Sequence, residues 1–354
     1  MKSGLLSLLL CLVIPVATQG RDPLVHVSLA KENRIITYRM SGDDGTLTLV
    51  DSLPVEGGPG ALAFHPTLPV LFASIRSVGN LASFRIDPST GKLVKINEVA
   101  AGADPAYVTV DASGKYLLSA YYRAGKVLVH GITNEGRIGA EQQSISTDER
   151  AHAIVSDPSS RYWFVPHTRP NAIFQFRFDE NTQQLVKGDP PILQREPDSG
   201  PRHLGFHPSL AVAYTSDEQG RSVSTYRFDR QSGTLTRVQT LTTLPADYDR
   251  RQSGSTSHIE VHPSGRFVYV ANRGHDSIAR YRVLPGNGRL QKLGNTVSEQ
   301  TTRSFNICPS GEFLIAAGQH SGNLAVFRVD PTSGDLQRTQ TVRAGDSPWW
   351  VLIR

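Results

Sequence analysis

The sequence predicts an all-β protein, a ring of seven four-stranded antiparallel units. Three observations carry that reading. A ring side chain closes a short β-prone strand at Tyr38, Phe84, His130, Phe176, Tyr226, Tyr281 and Phe327, at intervals of 46, 46, 46, 50, 55 and 46 residues. Glycine and proline together make up 53 of the 354 residues, which suits many tight turns. No repeat carries apolar residues at 3.6 spacing over a dozen positions, as a two-helix repeat of this length would need.

The elements of one unit follow in order. In six of the seven units an arginine follows the ring residue (Arg39, Arg85, Arg177, Arg227, Arg282, Arg328), and Gly131 is the exception. Each strand runs into a turn such as Asp87-Pro88-Ser89-Thr90-Gly91, Asp229-Arg230-Gln231-Ser232-Gly233 or Asp330-Pro331-Thr332-Ser333-Gly334, where glycine supplies the positive φ of a hairpin. The ligand spacing of a calcium loop is absent from them. A second phrase recurs upstream, at Pro59 to Pro66, Pro105 to Ala112, His152 to Pro158, Pro201 to Pro208, His258 to Pro263 and Arg303 to Pro309, and reads as a strand followed by a tight turn. A further strand comes next, as at Phe267 to Ala271 and Phe313 to Ala317. Four short strands in about 46 residues is the period of a propeller blade. The upstream phrase returns at Pro348-Trp349-Trp350-Val351, whereas Leu24 to Arg39 holds only the later strands of a blade. The N- and C-terminal strands therefore complete one blade together and close a seven-bladed β-propeller without an open edge.

At the N-terminus Lys2 precedes the apolar run Leu5 to Val16, and Ala17, Thr18, Gln19 and Gly20 follow. This is the pattern of a secretory leader over residues 1–20, with the propeller domain over 21–354, and it predicts an exported, periplasmic or extracellular protein. The run is too short for a permanent membrane span, and no later segment qualifies. Cys11 falls in the leader, so Cys308 would stand alone in the mature chain, as a buried structural thiol beside the turn Pro309-Ser310-Gly311.

Charged residues at 19% and apolar residues at 38% exclude a disordered chain. Of the 37 basic side chains 29 are arginine, a bias toward bidentate recognition of carboxylate or phosphate. Basic clusters with interleaved aromatics are absent, which argues against nucleic-acid binding despite a formal charge of +5.

In a four-stranded meander, the loop into the inner strand and the loop between the second and third strands open on one face. The first loop type carries His152, Arg202, His203, His258 and Arg303; the second carries Arg76, Arg123, His167, Arg169, Glu218, Arg273 and His320. Such a cationic ring around one acid suits a small anionic partner. Among these, His203, His258, Arg303, Arg76 and His320 are expected to bind substrate, with no metal or other cofactor and in a monomer. His65, His207 and His262 share one position before a proline and read as turn residues. The longest interval holds an insertion, Leu244 to Ser257, that enters the same face as a lid or a plain surface loop.

From Leu24 to Arg354 the chain resembles the lactonase family of seven-bladed propellers, whose members include bacterial 6-phosphogluconolactonases and fungal carboxy-cis,cis-muconate cycloisomerases. The carrying phrases are Gly200-Pro201-Arg202-His203-Leu204-Gly205-Phe206-His207-Pro208, Ser257-His258-Ile259-Glu260-Val261-His262-Pro263, Asn272-Arg273, and Arg303-Ser304-Phe305-Asn306 with Ala316-Ala317-Gly318-Gln319. The resemblance implies a site at the channel mouth whose residues fall on His152, Arg202, Glu218 and Arg273. It implies hydrolysis of a sugar-acid lactone, with muconate cycloisomerisation as the alternative, because both reactions pass through similar lactones. A third reading is a non-catalytic exported binding propeller, since Tyr269-Val270-Ala271-Asn272 resembles repeats of surface propellers that only bind. The leader departs from the 6-phosphogluconolactonase pattern, whose substrate is a cytosolic intermediate, and points to another sugar lactone.

Overall fold

The computed structural model describes residues 22–249 and 251–354; the expected leader, Cys11 and Arg250 lie outside the described residues. The described chain forms seven four-stranded antiparallel sheets, the blades of the expected propeller. Blade 1 is assembled from both ends of the chain, in the order Pro348–Ile353, Leu24–Leu29, Arg34–Met40, Leu47–Pro54. Val25 pairs with Ile353 and Val27 with Val351, so the C-terminal strand is the inner strand of the first blade. Blades 2 to 7 follow as consecutive meanders whose inner strands are Pro59–Phe64, Pro105–Val110, Val155–Ser156, Pro201–Phe206, Ser255–Val261 and Thr302–Ile307.

Burial follows the layers of each blade. Second strands such as Val70–Ile75, Tyr116–Tyr121 and Phe313–Gly318 are buried along their whole length, which explains their continuous apolar runs. Outer strands such as Leu235–Thr242 are mostly half-buried or exposed. The apolar core is divided among the gaps between blades: Tyr162, Phe164, Tyr226 and Phe228 fill the gap of blades 4 and 5, and Phe267, Tyr269, Phe305 and Phe327 that of blades 6 and 7.

The turns lock neighbouring blades. Asp87, Asp229 and Asp330 each accept two backbone N–H groups of their own hairpins, so these carboxylates organise turns. Gly233 (φ 74°) and Gly334 (φ 77°) close two hairpins and lie flat against Tyr162 and Phe267 of the preceding blades. A Cβ at either site would meet a strained backbone and an occupied ring plane. His65, His207 and His262 are turn residues as expected. His207 Nδ1 accepts the N–H groups of Ser209 and Leu210, and its Nε2–H donates to the Gly265 carbonyl in blade 6 at 2.9 Å. His65 repeats this with Gly114, and His262 with Gly311. Cys308 takes the same place in blade 7, buried, with its thiol accepting the Phe313 N–H.

One region differs from expectation. The phrase His152 to Pro158 forms only the two-residue strand Val155–Ser156 and a single bridge, Ala151 with His167. The Leu244 to Ser257 insertion leans on blades 5 and 6, where Arg221 donates to the Gln252 carbonyl and Lys292 to the Leu244 carbonyl.

His207→Ala removes three hydrogen bonds to backbone groups, one of them to the buried Gly265 carbonyl, and the expected loss is about 1–3 kcal/mol. Chemical denaturation reads it; an unchanged midpoint would remove His207 from the inter-blade contact.

Candidate active site at the channel mouth

Two positions in each blade reach one mouth of the channel. The first is an extra residue in the inner strand. In blade 5 Pro201 pairs with Asp217 and His203 with Ser216, leaving Arg202 without an opposite residue. In blade 7 Thr302 pairs with Gly318 and Ser304 with Ala317, which frees Arg303. In blade 1 Trp349 falls in the same way between Pro348 and Trp350. Such bulges re-aim the side chain they release. His152, next to the Ala151 bridge, holds this place in blade 4. The second position is the residue just past the second strand's last pairing with the third strand: Arg76, Tyr122, Glu218 and Arg273 follow Ile75, Tyr121, Asp217 and Asn272.

Arg76, Tyr122, His152, Glu218, Arg273, Arg303 and Trp349 thereby line one cavity of about 540 Å³, with Asp104 and Arg123 on its wall. Two carboxylates divide the arginines. Glu218 Oε2 lies 2.9 Å from Arg202 Nε and its Oε1 lies 3.2 Å from Arg273 Nη2. Across the cavity Asp104 Oδ2 lies 3.1 Å from Arg76 and 3.8 Å from Arg123. Arg303 has no carboxylate partner among the described residues; its guanidinium stacks on Trp349 at 3.5 Å from the ring centre. Five arginines against two carboxylates leave three positive charges uncompensated.

Burial and mutual repulsion shape the protonation states. Burial, and next the Arg273 charge, push the Arg202 guanidinium down to about 9, against the pull of Glu218. Arg303 lies well below its ordinary value, first through burial and then through Arg202, Arg273 and Arg76. His152 is held well below the usual histidine range by burial and then by Arg202, Arg303 and Arg76. Its ring is neutral at neutral pH, and its buried Nδ1 has no hydrogen-bond partner among the described residues. The arrangement supplies a neutral imidazole, an oriented carboxylate and an excess of guanidinium charge, which are the parts needed to hold an anion and stabilise an oxyanion.

Residues 22–353 match the model of the family described as "Lactonase, 7-bladed beta-propeller". The chain belongs to that family. A 6-phosphogluconolactonase of Pectobacterium carotovorum subsp. carotovorum (strain PC1) is 30% identical over 284 residues, spanning 80% of this chain and 84% of the relative. That of Bacillus subtilis (strain 168) is 29% identical over 246 residues, 66% of this chain and 69% of the relative. Among solved structures, a periplasmic gluconolactonase of Pseudomonas aeruginosa superposes with a TM-score of 0.86 at 27% identity, covering 94% of this chain and 98% of that one.

In this lactonase-family chain the expected site residues divide into three groups. Arg76, Arg123, His152, Glu218, Arg273 and Arg303 stand on the cavity wall, and Arg202, 1% exposed, stands behind it holding Glu218. His203 and His258 do not reach the mouth. Each lies one residue beyond the outward position, and both line a second cavity of about 390 Å³ farther along the inner strands, with Glu260 and Asn306. His320, Arg169 and His167 are also outside the site. His320 is exposed and bonded to Thr301 Oγ1, Arg169 is exposed, and His167 is fully buried with Nδ1–H donating to the Val165 carbonyl. The described part of the 244–257 insertion does not line the mouth cavity. The sequence reading missed Trp349, Tyr122 and the second acid Asp104.

Several buried histidines make the fold acid-sensitive. Burial pushes His26 down to about 3 and His167 down to about 4 from 6.5. A depressed histidine leaves the unfolded chain binding the extra proton, so stability is full above pH 6.5 and falls as pH drops toward the folded values. At pH 5 each of these two groups removes about 2 kcal/mol, at 1.36 kcal/mol per unit below 6.5. Thermal unfolding between pH 7.5 and 4.5 measures this; a flat midpoint would show that these rings are not neutral and buried.

Proposed function

We propose that the chain is an exported lactonase that opens sugar-acid lactones carrying or developing an anionic group. The carrying observation is the mouth cavity with three uncompensated positive charges, one of them on Arg303, which stacks on Trp349 and has no carboxylate partner among the described residues. The family match, the 6-phosphogluconolactonase relatives and the periplasmic gluconolactonase neighbour support the same chemistry. Export rests on the leader pattern of residues 1–20 and on the periplasmic neighbour.

In this reading Arg303 and Arg273 bind the anionic end of the substrate and the carbonyl oxygen as it gains charge. Glu218 is held in place by two guanidinium groups and orients a water molecule. His152, neutral and on the cavity wall, takes the proton as the water oxygen bonds to the lactone carbon. The ring C–O bond then breaks, and the leaving alkoxide recovers that proton from His152, which yields the hydroxy acid. A weak base suffices because the lactone is an activated ester.

A pH-stat assay on glucono-δ-lactone and 6-phosphogluconolactone should show ring opening above the spontaneous rate. His152→Ala should lower kcat by about a hundredfold or more. Arg303→Ala and Arg273→Ala should each cost at least about tenfold in kcat/KM, about 1.4 kcal/mol. A folded wild type with only the spontaneous rate on a lactone panel would sink the hydrolase reading. Muconate turnover followed by loss of ultraviolet absorbance would replace it with the cycloisomerase.

A further inference from the structure

Below the mouth cavity, five side chains of three blades form one hydrogen-bonded line. Arg202 Nη1 donates to the Ser257 carbonyl at 2.7 Å and also faces His203 Nε2 at 3.3 Å. His203 Nδ1 lies 2.9 Å from His258 Nδ1, and His258 Nε2 lies 3.1 Å from Glu260 Oε1. Glu260 is fixed from the next blade, where Asn306 Nδ2 donates to Oε1 at 2.6 Å and the Ile307 N–H donates to Oε2 at 2.9 Å. His203 and His258 are almost wholly buried; His258 packs edge-on against His203 and Trp350, and His203 lies tilted against Trp350.

The donor inventory permits one ordering of protons along this line. A guanidinium only donates, so His203 Nε2 must present its lone pair to Arg202. The His203 proton then sits on Nδ1 and is donated to His258 Nδ1. The His258 proton in turn sits on Nε2 and is donated to the Glu260 carboxylate, which accepts from both ends. Reversing any member would set two N–H groups against each other in a buried layer, at the cost of an unmade hydrogen bond.

We infer that His203, His258 and Glu260 are positioning residues. The Glu260 carboxylate fixes the tautomers of both imidazoles, and these fix the Arg202 guanidinium that holds Glu218 at the mouth. A merely packed aromatic layer has no need of a carboxylate at its far end or of a defined tautomer. The line gives His203 and His258 a task without substrate contact, which agrees with their absence from the mouth cavity's lining. The kinetic part rests on the lactonase reading; the proton order does not.

The test uses the full chain labelled with ¹⁵N-histidine. Long-range ¹H–¹⁵N spectra of the wild type should show His203 protonated on Nδ1 and His258 on Nε2, with a low-field proton between the rings. His203 found protonated on Nε2 overturns the inference without any variant. Glu260→Gln, close to isosteric, should mix the His258 tautomers and lower kcat by about tenfold while KM changes by less than about threefold. Unchanged tautomers or an unchanged kcat in that variant also overturn it. If the wild type opens no lactone, the functional reading falls, and the spectra still decide the proton order.

Discussion

Everything at the mouth depends on one backbone constraint: a single extra residue at the start of each inner strand. Side chains of a strand alternate between faces, so a one-residue shift moves a group from the opening to the layer below it. The shift is seen at Gly60 or Ala61, Ala106, Arg202, Ser257 or His258, Arg303 and Trp349, and it recurs before each turn anchor. Each blade thereby offers two places to the mouth, the bulge and the residue past the second strand. Small residues at Ala30 and Gly58 leave the opening wide above blades 1 and 2. Large ones, Trp349 and Arg76 of these same blades among them, line the rest of the mouth.

The electrostatics follow from how those places are filled. Glu218 serves blades 5 and 6, and Asp104 serves blades 2 and 3, so the two acids lie on different sides of the ring. Arg303 and Trp349 come from blades 7 and 1 and fall between these pairs. One uncompensated charge therefore sits with each acid's pair of arginines and a third on Arg303, which has no ion-pair partner among the described residues. Burial of Arg202 and Arg303 makes their repulsion costly, and a bound anion relieves it.

The architecture was legible because its signal is a period. Seven recurrences of a ring residue, repeated turn phrases and the return of the upstream phrase at Pro348 needed no accuracy better than a few residues, and the sheets match them. The site needs accuracy to one residue, and there the reading failed in part. His203 and His258 share the inner-strand phrase with Arg202 or its counterpart, but the outward residue is the one five before the turn anchor: Arg202 before His207, Arg303 before Cys308, His152 before Asp157, Trp349 before Arg354. Counting from that anchor would have moved both histidines inward and brought Trp349 into the site. The same offset separates Glu218 from the buried His167 one place earlier in its blade and from Arg169 and His320 one place later. Asp104 carried no such signal, since it lies in the loop before the Pro105 strand and acts through Arg76 and Arg123.

A layer of rings backs the charged mouth. Tyr107, His203, His258 and Trp350 meet at steep angles, with ring centres 4.9–5.7 Å apart, on the wall of the second cavity, and His203 packs against His152 of the mouth cavity. An open water-filled channel would screen the arginines from each other and return Arg202 toward its ordinary value. The depressed value of Arg202 belongs to a guanidinium backed by rings on one side and paired with one carboxylate on the other. Filling that layer with imidazoles in place of purely apolar rings gives the buried guanidinium an acceptor in His203 Nε2. An aliphatic layer would leave Arg202 with fewer partners at the place where its direction matters most.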